Sequence, residues 1–366
     1  MKRILKKSGI VLLGVLAGLM LAEGTLRLLD IPRFYKAHLQ PTRPQFSMVG
    51  SLNDTIFYTN TPSAVIEFVY DGNPRGYFTA GNAVRHTTNS LGFRGREFSA
   101  TKDTNAFRIV FLGDSFTFGE GVKDEDVYPE QLASKLRKRV PRLRFEAYNF
   151  GVGGYNTEQS LFLLKHLALQ FKPDAVVLGY VLNDAEPELF TVDAASRSVQ
   201  RRPRESMIYE GLSDLVPPAN AVFRLRLARL LWQVLSRQYA TSRTVAYYNQ
   251  LYRDDNPGWI ATKRSLREFA EVCAKHRIDC YVVMFPLLFQ LNDKYPFTSL
   301  SHAVQREIRS LDAVVPTIVD LFPPLKGRKE ADLWVHPTDQ HPNEVVHRLA
   351  ADHLFEAILH RHAEWQ

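Results

Sequence analysis

From residue 107 to the C-terminus, short apolar runs alternate with stretches of helical period, and this alternation limits the fold more than any other feature of the chain. The runs at 108–112, 144–149, 175–180, 279–285 and 317–321 are short and rich in Val, Ile, Phe and Tyr, which predicts strands. Residues 128–139, 157–171, 263–276 and 343–360 carry the period of helices. Strands joined through helices pair in parallel, and the helices then cover both faces of the sheet. The expected fold class is therefore α/β, a three-layer α/β/α sandwich around a central parallel sheet.

The alternation breaks between 185 and 258. A basic stretch around Pro203, the pair Pro217-Pro218 and a Leu- and Arg-rich helical run at 221–235 mark an insertion. Long insertions in such folds sit over the carboxyl ends of the strands, where ligands bind, so this one is read as a partly helical cap. Residues 31–104 are rich in Pro, Asn, Thr and aromatics without a helical period, and read as an extended lead-in of strands and loops. The main domain is placed at 105–366.

Residues 1–30 form a separate segment. Lys2, Arg3, Lys6 and Lys7 precede an uncharged run at 8–22 built of Gly, Ile, Val, Leu, Ala and Met. That run is shorter than the roughly 20 residues needed to span hydrocarbon; Thr25-Leu26 and Leu28-Leu29 extend it, an extension that Glu23 and Arg27 weaken. Sites for signal cleavage after the run are poor, which favours an uncleaved anchor. Positive charge ahead of the run keeps that end in the cytoplasm, so the chain beyond about residue 30 is expected on the periplasmic side of a single-pass inner-membrane helix.

Composition excludes several classes. With 45% hydrophobic and 23% charged residues the chain is globular rather than disordered. The net charge of +7 comes from 46 basic and 39 acidic residues spread along the chain. Its densest basic stretches, 135–144 and 197–204, lack interleaved aromatics, so no nucleic-acid partner is expected. Cys273 and Cys280 match no zinc, redox or disulfide pattern and read as small core residues. No metal-ligand cluster stands out, and no cofactor is expected.

Four segments hold groups that acyl transfer requires. Gly113-Asp114-Ser115-Phe116 follows the first strand, and its small residues permit a sharp turn that leaves a serine hydroxyl exposed. Residues 149–157, Asn-Phe-Gly-Val-Gly-Gly-Tyr-Asn-Thr, form a glycine-rich turn able to aim a backbone N–H at a developing oxyanion; the Lys-Ser/Thr ending of a phosphate loop is missing. Leu182-Asn183-Asp184 follows the apolar strand at 175–180 and offers an amide side chain. Last comes Thr338-Asp339-Gln340-His341-Pro342-Asn343, just ahead of the terminal helix. A serine hydroxyl needs an imidazole to take its proton, and the imidazole needs a carboxylate to fix its tautomer. Asp339 and His341 fit those parts; His336 competes as the base, and Asp332 is the alternative carboxylate.

Taken together, the order Ser, Gly, Asn, then Asp and His resembles the SGNH/GDSL hydrolase superfamily from about Arg108 onward. The stretch Asn89-Ser90-Leu91-Gly92-Phe93-Arg94-Gly95 looks like membrane-tethered bacterial members. The resemblance implies a flavodoxin-like fold and Ser115 as nucleophile. It further implies an oxyanion hole of the Ser115 and Gly154 N–H groups with the Asn183 side chain, and His341 as base oriented by Asp339. Two positions depart from the pattern: Val181 stands where the family has Gly two residues before Asn, and one residue rather than two separates Asp339 from His341.

The expected activity is ester cleavage through an acyl-serine, and an exported enzyme of this kind meets O-acetylated envelope carbohydrate. An O-acetyltransferase with the same triad, and a catalytically idle polysaccharide-binding protein that keeps the fold, are the rival readings.

Overall fold

In the computed structural model, which describes residues 2–33, 45–48, 56, 58–188, 190–193, 198–201 and 220–365, the five apolar runs form one parallel sheet. Its strands are β1 (Ala106–Leu112), β2 (Arg144–Asn149), β3 (Ala175–Tyr180), β4 (Asp279–Met284) and β5 (Thr317–Asp320), in the order β5-β4-β3-β1-β2. Every residue of β3 is buried, as a central strand covered on both faces requires. The helices are α1 (Tyr128–Arg139), α2 (Thr157–His166), α3 (Pro257–His276), α4 (Thr298–Arg309) and α5 (Glu344–Arg361). Packing of α1 on α5 and of α2 on α3 supplies the two helical layers.

Local chemistry sets the helix ends. At α2, the Asn156 side chain accepts from the Gln159 N–H at 3.0 Å while Gln159 accepts from the Asn156 N–H at 3.1 Å, a reciprocal cap. That helix stops at His166 and continues as a 3-10 turn at Ala168–Phe171, where one helix to 171 is expected from sequence. Conversely, α3 begins six residues earlier than its apolar period suggests. Asn256 caps it by accepting from Gly258 at 2.9 Å, and Pro257 occupies the first turn, where its missing N–H costs nothing. Helix α4 carries no expectation from sequence, because its polar face hides the period of Leu300, Val304 and Ile308.

The chain divides into two compact units, one of residues 1–37 and 206–244, the other of 38–205 and 245–366. The insertion expected at 185–258 is thus shared between them, and Pro203 and Pro217-Pro218 lie outside the described residues.

In the larger unit the described part of the lead-in is built into the domain rather than preceding it. An antiparallel hairpin, Val65–Val69 with Ala83–Thr87, buries Ile66, Phe68 and Val84 against Val122, Val127 and Val335. Arg94, 3% exposed, pairs with Asp124 at 2.8 Å and donates to the carbonyls of Phe118, Gly119 and Val122. Such a buried guanidinium fixes the backbone just beyond Ser115, since each of its donors must find an acceptor once removed from water. Cys273 and Cys280 are buried free thiols.

In the smaller unit the helix Lys2–Leu28 contains a 22-residue stretch, Lys7–Leu28, long and apolar enough to cross a membrane. It shares the unit with residues 226–244 of a second long helix, Arg226–Leu251.

Candidate active site

Strand β1 lies between β2 and β3, so the connections that leave its carboxyl end and that of β3 part at the point where the strand order reverses, the usual ligand crevice of open parallel sheets. The first of these is Gly113-Asp114-Ser115. Gly113 has φ of 145°, and a Cβ there would stand 2.4 Å from Thr117 Oγ1 and 2.7 Å from the Gly179 carbonyl. Only glycine makes that turn. Asp114 then caps a one-turn helix, Ser115–Phe118, by accepting from the Phe116 N–H at 2.9 Å. Phe116, Thr117 and Phe118 are buried, which leaves the half-buried Ser115 as the side chain presented outward.

The histidine arrives on a second antiparallel hairpin, Trp334–His336 with Asp339–Pro342. Alternate residues of a strand project to the same face, so a single intervening residue brings Asp339 and His341 side by side. His341 Nδ1 lies 2.5 Å from Asp339 Oδ1 and His341 Nε2 lies 2.9 Å from Ser115 Oγ. A carboxylate only accepts, so Nδ1 carries the proton and Nε2 faces the serine. The other carboxylate oxygen, Asp339 Oδ2, accepts from the Tyr70 hydroxyl at 2.8 Å.

His336 and Asp332 stand apart from this chain of hydrogen bonds. The His336 ring is fully buried with Nδ1 at 2.8 Å from Thr338 Oγ1 and Nε2 at 3.3 Å from the Asp71 carbonyl. Asp332 is exposed, and its carbonyl accepts from the Asn343 side chain at 2.8 Å.

The glycine-rich turn and Asn183 converge on the same loop. Asn149, at the end of β2, donates from Nδ2 to the Thr117 carbonyl at 2.8 Å, and Val152 donates to the Gly113 carbonyl at 3.1 Å. Gly154, with φ of 79°, closes the turn. Asn183 sits on the 3-10 turn Leu182–Ala185 after β3 and donates from Nδ2 to Asp114 Oδ2 at 3.1 Å; a primary amide retains a second hydrogen. Gly179, two residues before Val181, answers a packing need rather than a site need. A Cβ on it would lie 2.2 Å from Thr117 Oγ1, so β3 passes the serine helix only as glycine.

Charge around the imidazole is strongly biased. Burial pushes the His341 pKa down, but the charges of Asp339 and then Glu120 outweigh it and carry it up to about 9. Ligand atoms of Glu120, Asp339 and His341 all lie within 4.8 Å of one another, close enough to share an ion. Both His341 nitrogens are already engaged with Asp339 and Ser115, however, so Glu120 and Asp339 act on the imidazole as neighbouring negative charges rather than as partners in a ligand set. Tyr70 is held well above its ordinary pKa by burial and by the charges of Asp339 and Glu120, which keeps its proton available to Asp339.

Two further histidines brace the loop in neutral form. Burial drives His86 well below its ordinary pKa, and its Nε2 accepts from the Gly121 N–H at 3.2 Å. Burial lowers His347 to about 3, and its Nδ1 accepts from the Tyr128 N–H at 3.2 Å.

Tyr70, His86, Arg94, Glu120 and Gln45, whose amide reaches Glu120 Oε2 at 3.4 Å, carry no role in the sequence reading. Tyr70 and Asp339 are 269 residues apart, and no local motif announces such a pairing. The one available signal was the stretch at 89–95, which contains Arg94.

A family model described as the GDSL-like Lipase/Acylhydrolase family matches residues 111–349. An uncharacterized protein of Mycoplasma pneumoniae is 32% identical over 88 residues, 24% of this chain and 10% of that protein, so the chain spans a tenth of the length of this curated relative. Among solved structures, a two-domain esterase active on acetylated mannans is 19% identical with a TM-score of 0.36, over 69% of this chain and 50% of that one. A catalytic mutant of an acetylxylan esterase from Geobacillus stearothermophilus is 15% identical with a TM-score of 0.42, over 70% of this chain and 96% of that one.

Proposed function

The chain belongs to the GDSL-like lipase/acylhydrolase family, and from that premise we propose that it is a serine esterase that removes O-acyl groups, chiefly O-acetyl, from cell-envelope carbohydrate. The observation that carries the reading is the run of hydrogen bonds from Ser115 Oγ to His341 Nε2 at 2.9 Å and from His341 Nδ1 to Asp339 Oδ1 at 2.5 Å.

In this reaction His341 Nε2 takes the Ser115 proton as Oγ attacks the ester carbonyl, and Asp339 stabilises the imidazolium that results. Negative charge collects on the former carbonyl oxygen, where the N–H groups of Ser115 and Gly154 and the second Asn183 amide hydrogen receive it. Collapse breaks the bond to the alcohol, which leaves with the proton from His341. Water then attacks the acyl-serine with His341 again as base, the acid departs, and the Ser115 hydroxyl is restored. No step calls for a metal or organic cofactor.

The choice of substrate rests on location and on the rim of the site. The stretch Lys7–Leu28 serves as a single-pass anchor, its basic start held in the cytoplasm and the remainder of the chain on the periplasmic side. There an esterase meets acylated envelope glycans. Glu120 and Gln45, beside the histidine, offer polar partners to a hydroxyl-bearing alcohol portion rather than to a long acyl chain.

The experiment is hydrolysis of 4-nitrophenyl acetate by the full chain in detergent, compared with Ser115→Ala. Turnover that this substitution abolishes in a folded protein supports the reading, and equal inertness of both sinks it. A sugar acceptor added to the same assay separates the esterase from a transferase, since acetyl transfer faster than hydrolysis overturns the hydrolase assignment.

A further inference from the structure

Along the second long helix, Arg226–Leu251, an apolar stripe faces outward: Leu231 is 60% exposed, Val234 47%, Leu235 54% and Tyr239 58%. Spacings of three, four and eight residues from Leu231 put these side chains on one face. Val222 and Leu225, 61% and 49% exposed, extend the apolar surface ahead of the helix. At 3.6 residues per turn, Arg226, Arg229, Arg237 and Arg243 fall on the opposite half, and the helix contains no Asp or Glu.

The start of this helix is tied to one place. The first N–H groups of a helix lack internal partners and attract negative charge. Here the Glu23 carboxylate supplies it, accepting from the N–H groups of Arg226 and Leu227 at 3.0 Å each. Arg226 also pairs with Asp30 at 2.7 Å, and Arg27 donates to the Arg224 carbonyl at 2.9 Å. All these partners belong to the polar end of the apolar stretch Lys7–Leu28 and the residues just after it. A membrane-crossing helix leaves the hydrocarbon at its polar end, so the second helix begins at headgroup level.

We propose that residues 222–243 lie in the surface of an anionic lipid bilayer, with the stripe from Val222 to Tyr239 in the acyl boundary and the arginines among the headgroups. This rests on the single-pass reading of the N-terminal helix. A lipid surface is favoured over a second copy or a protein partner on two grounds. The stripe continues from a segment that itself demands hydrocarbon, and with Arg226 already paired with Asp30, Arg229, Arg237 and Arg243 on a helix without Asp or Glu complement anionic headgroups.

The test uses the full chain reconstituted in vesicles of phosphatidylglycerol and phosphatidylethanolamine, with Cys273→Ala and Cys280→Ala. Esterase activity is the check of folding. A nitroxide is attached in turn at Leu13→Cys, Leu235→Cys and Arg237→Cys, and its collisions with oxygen and with a water-soluble nickel chelate are compared. The expected result is oxygen collisions several-fold above the chelate at 13 and 235, with the order reversed at 237. If the label at 235 behaves like that at 237 while 13 remains oxygen-rich, the surface helix is refuted and the anchor stands. Chelate access at 13 refutes the anchor and the surface helix together. A label at 235 shielded from both reagents and dipole-coupled to its counterpart means that a second copy covers the stripe, which also overturns the proposal.

Discussion

The Tyr70 hydroxyl, from the lead-in, donates to Asp339 Oδ2 at 2.8 Å while Asp339 Oδ1 lies against His341. The carboxylate is thus held from both sides, and Tyr70 settles which oxygen faces the imidazole. Tyr70→Phe removes that donor beside a side chain only 5% exposed. A hydrogen bond to a charged group contributes about 1.5–3 kcal/mol, of which part bears on the transition state; kcat/KM for an aryl acetate is expected to fall roughly tenfold. Negative charge left more concentrated on Asp339 also favours the imidazolium, so the pH profile shifts to higher pH. An unchanged profile with the same loss of rate would assign Tyr70 to packing alone.

Asp339 and Asp332 are distinguished by substitution. Asp339→Asn keeps the shape but presents an amide to Nδ1 and favours the wrong tautomer, so kcat is expected to drop by about 10⁴. Asp332→Asn, at an exposed position outside the hydrogen-bonded run, is expected to leave kcat within a factor of about two. Steady-state kinetics on both variants decides between them, and a collapse at 332 would transfer the orienting part to that residue.

The pH dependence follows from the charge around His341. Ester attack needs the neutral imidazole, and a pKa of about 9 leaves roughly a hundredth of it neutral at pH 7. kcat/KM is therefore expected to rise about tenfold per unit through the neutral range and to level off above about 9. Glu120→Gln removes one of the negative charges that stabilise the imidazolium, so the limb moves to lower pH and activity at pH 7 increases. Profiles measured from pH 6 to 10, corrected for spontaneous hydrolysis, test the sign; a limb that stays in place would mean that Glu120 does not act on His341.

What is legible in the sequence is local. The parallel sheet could be read because each buried strand is a continuous apolar run, and Ser115, Asp339 and His341 stood out because each occupies a short segment beside a predicted element. The separation of Asp339 from His341 by a single residue departs from the family's usual pattern, and the strand Asp339–Pro342 accounts for it by placing both side chains on one face. Tyr70, Arg94 and Glu120 were not legible, because their partners are distant in sequence and the lead-in has no period. The sharing of the insertion between two units was hidden for the same reason: Glu23 caps a helix that begins 203 residues later.

A last prediction concerns stability at the sheet. Arg108, on β1, has no exposed surface; it pairs with Glu146 on β2 at 2.7 Å and stacks on Tyr148 with its guanidinium carbon 4.7 Å from the ring centre. Taking one partner away leaves the other buried and charged, which costs about 3–5 kcal/mol, whereas replacing both with apolar groups of similar volume is often neutral. Arg144, a more exposed partner, still reaches Glu146 at 3.1 Å, so Arg108→Met is expected to lower the free energy of unfolding by about 3 kcal/mol, the low end of that range, and Arg108→Met with Glu146→Leu to recover most of it. Because Arg108 also donates to the carbonyls of Phe171 and Thr101, recovery should stop short of the parent value. Urea unfolding of the three proteins reads the difference, and a double variant no more stable than Arg108→Met would show that those carbonyl contacts, rather than the ion pair, hold this edge of the sheet.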